Sequence, residues 1–255
     1  MAASRPTVGI LYPGFSAEDD FPRFEGLLGG DVALPVQHTL MNEDAHRLDA
    51  LLDWGRDDTL AAGADAAGPV DALVWTCTSG SFCYGWAGAH DQAAALAAHA
   101  GVPASSTSLA FAHALDALGI ERVAISATYP ADVADLFRAF LEDGGIDVVA
   151  VSSHEIVTAA EVGTLDRHRL FAVAESGDHP DAQAVLLPDT AFHTAEHLEA
   201  LDTHLGKPVL TANQVSVWEA LRLVDAPLVR PGLGALFRER PAVRTGDARA
   251  NSSAQ

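Results

Sequence analysis

Cysteine is scarce in this chain: only Cys77 and Cys83 occur, six positions apart. Two such neighbours cannot build a disulfide framework, so a reducing cytoplasm is the expected setting. Basic residues are also few, with 15 Lys and Arg against 35 Asp and Glu and a net charge of −20. That balance opposes non-specific nucleic-acid binding and docking on an anionic membrane. No apolar run approaches the length of a membrane span, and Met1 to Thr7 lacks the apolar core of a secretory signal. What is present is 49% hydrophobic and 20% charged residues over 255 positions, enough for one large domain or two small ones with a full core. A soluble, cytoplasmic protein is expected.

Apolar runs and breakers alternate along the chain. Val8 to Tyr12 reads as a strand stopped by Pro13-Gly14, and Val32 to His38 as a second. The spacing of Leu48, Leu51 and Leu52 predicts one helix over Asp44 to Ala62. Pro103 to Ser106 is a short strand, and Thr107 or Ser108 caps the helix that Gly119 closes. The pattern then restarts, with strands at Arg122–Ser126, Asp147–Val151, Ala184–Leu187 and Pro208–Thr211. Helices are predicted over Ala131–Asp143, Glu161–Glu175, Ala191–Leu205 and Gln214–Leu223. Strands alternating with helices give an α/β fold of two similar lobes, each a parallel sheet flanked by helices, with a cleft between their carboxyl ends. The expected divisions are residues 1–118, residues 119–212, and a closing helix with its tail over 213–255 that returns to the first lobe. Thr245 to Gln255 is small and polar and reads as a frayed tail.

The densest chemistry follows the buried run Ala72 to Trp75. There the chain turns at once to Thr76-Cys77-Thr78-Ser79-Gly80-Ser81. Small hydroxyls after a strand and before a helix can gather free N–H groups around an anion. A cysteine there is expected to have its thiolate favoured, and Cys77 to react faster than Cys83. In the second half, Pro188-Asp189-Thr190 ends the corresponding strand. Asp189 has two readings, a helix N-cap or a group facing Cys77 across the cleft. His193-Thr194-Ala195-Glu196-His197 matches a zinc-protease pattern, with both histidines one helical turn apart, but lacks a third ligand. Gly26 to Gly30 is a turn without the strand and helix of a dinucleotide site.

Five segments in order carry a resemblance. Val74 to Ser81 resembles the first catalytic motif of the maleate cis-trans isomerase and arylmalonate decarboxylase family, within the aspartate/glutamate racemase superfamily. Tyr12-Pro13-Gly14, Gly119 to Ala124 with Ala127-Thr128-Tyr129, Leu187 to Thr194, and Leu205 to Leu210 with Asn213 to Trp218 are similar to its other segments. The resemblance spans roughly residues 7 to 224. It implies a reaction without cofactor or metal on a small carboxylic or dicarboxylic acid, bound by hydroxyls and N–H groups that can stabilise an enediolate. It implies Cys77 as nucleophile or proton carrier, with Tyr129 and Asp189 as further catalytic candidates. Pro13, Gly14, Thr78, Ser79 and Thr190 would bind substrate.

Departures from the family are equally informative. Two-cysteine members carry their second cysteine where this chain has Asp189. Maleate isomerases place an asparagine after the first strand, where this chain reads Pro13-Gly14-Phe15-Ser16; Ser153-His154 falls near their second. Arylmalonate decarboxylases carry their single cysteine in the second motif rather than the first. The leading expectation is a maleate-type isomerase acting by thiolate addition and bond rotation. The alternatives are a decarboxylase or racemase-like enzyme with Cys77 as proton donor, and a non-catalytic sensor of small acids. Homo-oligomerisation is left open, and pocket size is expected to depend on Phe15, Phe82, Tyr84 and Phe192.

Overall fold

The computed structural model describes residues 5–238. The tail over Thr245–Gln255 lies outside them. The first sheet holds β1 (Val8–Pro13), β2 (Val36–Thr39), β3 (Ala72–Trp75) and β4 (Ala104–Ser106) in the order β2-β1-β3-β4. The second holds β5 (Arg122–Ala127), β6 (Asp147–Ser153), β7 (Ala184–Leu187) and β8 (Val209–Thr211) in the order β6-β5-β7-β8. Every pairing is parallel. Both faces of such a sheet must be covered, so β3 and β7 read as unbroken apolar runs and are buried throughout.

In the first lobe the helices are α1 (Asp20–Leu27), α2 (Leu48–Trp54), α3 (Asp57–Ala67), α4 (Ser79–Phe82), α5 (Gly85–Ala100) and α6 (Thr107–Leu118). The second carries α7 (Ala131–Asp143), α8 (Ala159–Val162), α9 (Arg167–Ser176) and α10 (Leu198–Leu205). Helix α11 (Ala212–Leu223) then packs against α6 and β3. Aromatic packing joins the lobes: Phe82 at the end of α4 meets Tyr129 at 6.0 Å and Phe137 at 5.2 Å between ring centroids.

Several elements differ from expectation, each for a local reason. The single helix over Asp44–Ala62 is two, α2 and α3, broken at Gly55-Arg56. Gly55 lies so close to α4 that a Cβ would sit 2.0 Å from the Gly80 carbonyl oxygen, and its own carbonyl accepts from Gln92 Nε2 at 2.7 Å. The predicted helix Glu161–Glu175 divides into α8 and α9, with Asp166 capping the second by accepting from the Arg169 N–H. Helix α6 is capped by Ser106 rather than Thr107 or Ser108. The strand read from Val32 contributes only the isolated bridge Thr7–Ala33 before Pro35, and β2 begins at Val36. The helix predicted over Ala191–Leu205 begins only at Leu198, and the residues before it run as turns.

Candidate active site

β3 and β7 hold equivalent places in their sheets, and each is followed after one residue by a chemical side chain. Cys77 stands two residues beyond Trp75, and Asp189 two residues beyond Leu187. Tyr129 links the two strand ends: its hydroxyl donates to the Pro188 carbonyl at 2.8 Å, and its ring packs on Phe82 of α4 at 6.0 Å. The site is closely covered: Cys77 is 2% exposed, Asp189 5% and Tyr129 1%.

The Gly80 N–H donates to Cys77 Sγ at 3.2 Å, and Ser79 Oγ lies 3.8 Å away. Both favour the thiolate, as the sequence leads one to expect, but burial outweighs them. The Cys77 pKa is pushed up to about 12, mainly by desolvation, with a smaller contribution from the Asp189 charge. The thiolate expected from the motif is therefore corrected to a neutral thiol at rest. Cys83 closes α4 half-buried, and its pKa is also raised by desolvation.

Around the thiol, the hydroxyls divide into used and unused. Thr78 Oγ1 is buried beside the Tyr129 hydroxyl and has no hydrogen-bond partner within normal geometry among the described residues. A buried hydroxyl without a partner is costly, and this one is free to donate to an oxygen atom brought against it. The Tyr129 hydroxyl donates to the Pro188 carbonyl at 2.8 Å, and burial holds its pKa well above the usual phenol range. Ser153 Oγ donates to the Tyr129 carbonyl at 2.7 Å, so Ser153 supports that tyrosine from behind. Ser108 and Ser81 hold the α4 region through the Thr78 carbonyl and Ser106.

Asp189 accepts from the Ala191 N–H at 2.9 Å and from the Thr128 hydroxyl. The first is the bond an N-cap would make, yet no helix follows it, so the cap reading is corrected to a turn. Thr190 is buried, and its carbonyl accepts from the Tyr12 hydroxyl at 3.0 Å. Pro13 ends β1, and Gly14 follows with φ of +64°, where a Cβ would strike Met41. The Gly14 carbonyl accepts from His38 Nδ1 at 2.6 Å. Phe15 is 72% exposed and stacks on His38 at 4.0 Å, while Phe82 and Phe192 are buried and Tyr84 donates to the Leu52 carbonyl. The zinc-like pattern loses its helix: His193 stands in irregular backbone, bonded to Asp19 at 2.7 Å, and His197 only precedes α10.

Three contributors were missed in the sequence. Tyr12 links Ser16, Ala17 and Thr190 through one hydroxyl. Asp20 ends the acidic run Glu18-Asp19-Asp20, yet it is buried against the second lobe. His46 packs edge-on to Tyr129 at 4.9 Å and donates through Nδ1 to the Ile156 carbonyl at 2.9 Å. Beside it, the Asp44 carboxylate accepts from the Ala159 and Ala160 N–H groups, tying the lobes together. Only Tyr12, near the end of the first strand, carried a sequence signal.

A thiol and a carboxylate at matching strand ends, with a hydroxyl beside a buried tyrosine, make up the candidate site of this two-lobed α/β fold. The family model for arylmalonate decarboxylase matches residues 56–237. The chain belongs to that family. It is 26% identical over 249 residues to arylmalonate decarboxylase of Bordetella bronchiseptica, covering 93% of this chain and 98% of the relative. It is 29% identical over 139 residues to maleate isomerase of Nocardia farcinica, covering 54% and 55%. Among solved structures it is similar to a liganded double variant of arylmalonate decarboxylase, with one glycine changed to cysteine and one cysteine to serine. That similarity has a TM-score of 0.79 at 25% identity, covering 91% of this chain and 98% of the other. The relatives are an isomerase and a decarboxylase, which makes this chain an enzyme by kinship.

Proposed function

We propose that the chain acts without a cofactor on a small geminal di-acid of the malonate type, removing carbon dioxide and delivering a proton from Cys77. The observation that carries this reading is the burial of the Cys77 thiol, 2% exposed, in the same turn as a buried Thr78 hydroxyl with no partner among the described residues. With a pKa of about 12, forming the thiolate at pH 7 costs on the order of 7 kcal/mol. A resting nucleophile is poorly served by that cost, whereas a proton donor is not. An enediolate is a far stronger base than a thiolate, so the transfer runs downhill.

In this reading Thr78 and Ser79 hold the carboxylate that stays, with Tyr129 and Thr190 forming the opposite wall and Pro13-Gly14 one edge. The bond from the α-carbon to the second carboxylate breaks and carbon dioxide leaves. The bonding pair remains on the α-carbon and spreads onto the retained carboxylate as an enediolate. Cys77 Sγ–H gives its proton to that carbon, and the thiolate left behind takes a proton from water. Asp189 opposes the departing group, and that repulsion ends when the group leaves as a neutral molecule. The liganded decarboxylase variant, with one cysteine gained and another lost, supports a relocated thiol within this fold.

The isomerase reading keeps one specific support, the 29% identity to a maleate isomerase over 139 residues. There a Cys77 thiolate would add to the cis double bond, the resulting single bond would rotate, and the thiolate would be expelled from the trans acid. Asp189, accepting from both Thr128 and Ala191, repels a cis dianion as it does a malonate, but isomerisation releases no charged group and leaves that repulsion in place. The two are separated by offering arylmalonates and alkylmalonates in D2O beside maleate. The expected result is carbon dioxide release with one deuterium at the product α-carbon, abolished in Cys77→Ala. Fumarate formation from maleate without carbon dioxide from any malonate would replace this reading with the isomerase.

A further inference from the structure

Asp20 is the first residue of α1 in the first lobe, yet its main partners lie elsewhere. Its side chain has no exposed surface. Oδ2 accepts from the Thr194 N–H at 2.8 Å, the Ala195 N–H at 3.2 Å and Asn213 Nδ2 at 3.1 Å. Oδ1 faces Arg23 Nη1 at 3.4 Å. Next to it, His193 Nε2 meets Asp19 Oδ1 at 2.7 Å, and the Tyr12 hydroxyl donates to the Thr190 carbonyl at 3.0 Å. The contacts of Asp20 with Thr194 and Ala195, of Asp19 with His193 and of Tyr12 with Thr190 link the first lobe to the stretch directly after Asp189.

Two of the bonds are revealing as a pair. In the helix that the sequence pattern predicts here, the Thr194 N–H would donate to the Thr190 carbonyl, four residues back. Both groups are diverted: the carbonyl goes to Tyr12 and the N–H to Asp20. A carboxylate and a phenol from the other lobe thus replace a helical hydrogen bond from its two ends. The stretch stays as turns until Leu198.

We propose that Asp20 is a positioning residue for Asp189: with Tyr12, it holds Thr190–Ala195 out of a helical path and so keeps the Asp189 carboxylate turned toward Cys77. The inference rests on Asp189 sharing the site, as the proposed function has it, but needs no substrate. Asp189 stands two residues beyond β7 as Cys77 stands two beyond β3, whereas the Asp20 carboxylate is taken up by Thr194, Ala195 and Asn213.

The test is to alkylate Cys77 at pH 9 with neutral iodoacetamide and with anionic iodoacetate, following Cys83 in the same peptide map. The proteins are wild type, Asp20→Asn, Asp189→Asn and the double variant. An anion beside the thiol slows iodoacetate selectively, whereas general loosening raises both rates together. Asp189→Asn should raise the iodoacetate-to-iodoacetamide ratio at least about threefold. Asp20→Asn should raise it by a similar factor, and the double variant no further. An Asp20→Asn protein whose ratio stays at the wild-type value, even if both rates rise, overturns the inference. An unchanged ratio in Asp189→Asn removes its premise and overturns it too, whatever the turnover assays give. Should Asp20→Asn not fold, Tyr12→Phe decides in its place: a raised ratio that Asp189→Asn does not raise further supports the inference, and an unchanged ratio refutes it.

Discussion

Glu219 offers a quantitative test of how the closing helix is held. It lies in α11 with no exposed surface, between His113 of α6 at 3.0 Å and Arg222 at 2.7 Å. Burial alone would raise its pKa, but hydrogen bonds from Arg222 and His113 win and lower it from 4.5 to about 2. The group is depressed in the folded state, so its stabilising effect is present above the unfolded value of about 4.5. It fades as pH falls toward 2. A shift of that size corresponds to on the order of 3 kcal/mol at neutral pH, falling to about 1.5 kcal/mol near pH 3. Other carboxylates titrate over the same range, so the comparison needed is with Glu219→Gln. Urea unfolding of both proteins at pH 7, 4 and 3 gives the difference directly. Wild type should be more stable by about 3 kcal/mol at pH 7, with the gap narrowing steadily in acid. A gap that stays constant from pH 7 to pH 3 would refute the account of Glu219 as a charged anchor.

Two further outcomes follow from the same structure. Native Cys77 should react with iodoacetamide at pH 8 about a thousandfold more slowly than in denaturant, because a pKa of about 12 in place of 9.0 depletes the thiolate; comparable rates by peptide mapping would contradict the burial argument. Gly55→Ala should lower stability by about 1–3 kcal/mol or prevent folding, since its Cβ would meet the Gly80 carbonyl oxygen at 2.0 Å; an unchanged melting temperature would mean α2 and α4 are less tightly opposed.

Legibility in the sequence followed the range of the forces involved. The buried strands were plain because a parallel strand covered on both faces is a short apolar run between breakers, and Ala184–Leu187 was read to the residue. Cys77, Thr78 and Ser79 were legible because a thiol and hydroxyls at a strand end are rare company. The turns over Thr190–His197 were not, because their amides and carbonyls are claimed by Tyr12 and Asp20, more than 170 positions earlier. The break at Gly55 depends likewise on Gln92 and Gly80. Nor could the sequence weigh the Gly80 N–H against burial at Cys77, since desolvation depends on what covers the thiol. Motif chemistry therefore pointed to a thiolate where the folded surroundings favour the thiol.

The repeated strand order has a consequence for handedness. A planar intermediate lying between the two sheets would present one face to the turn after β3 and the other to the turn after β7. Those turns carry unlike groups, a thiol in one and a carboxylate in the other. If Cys77 supplies the proton, a prochiral carbon can be protonated from the β3 side alone, and the product forms as one mirror image. Exchanging the side chains at positions 77 and 189 would move the donor to the turn after β7 and send the proton to the opposite face.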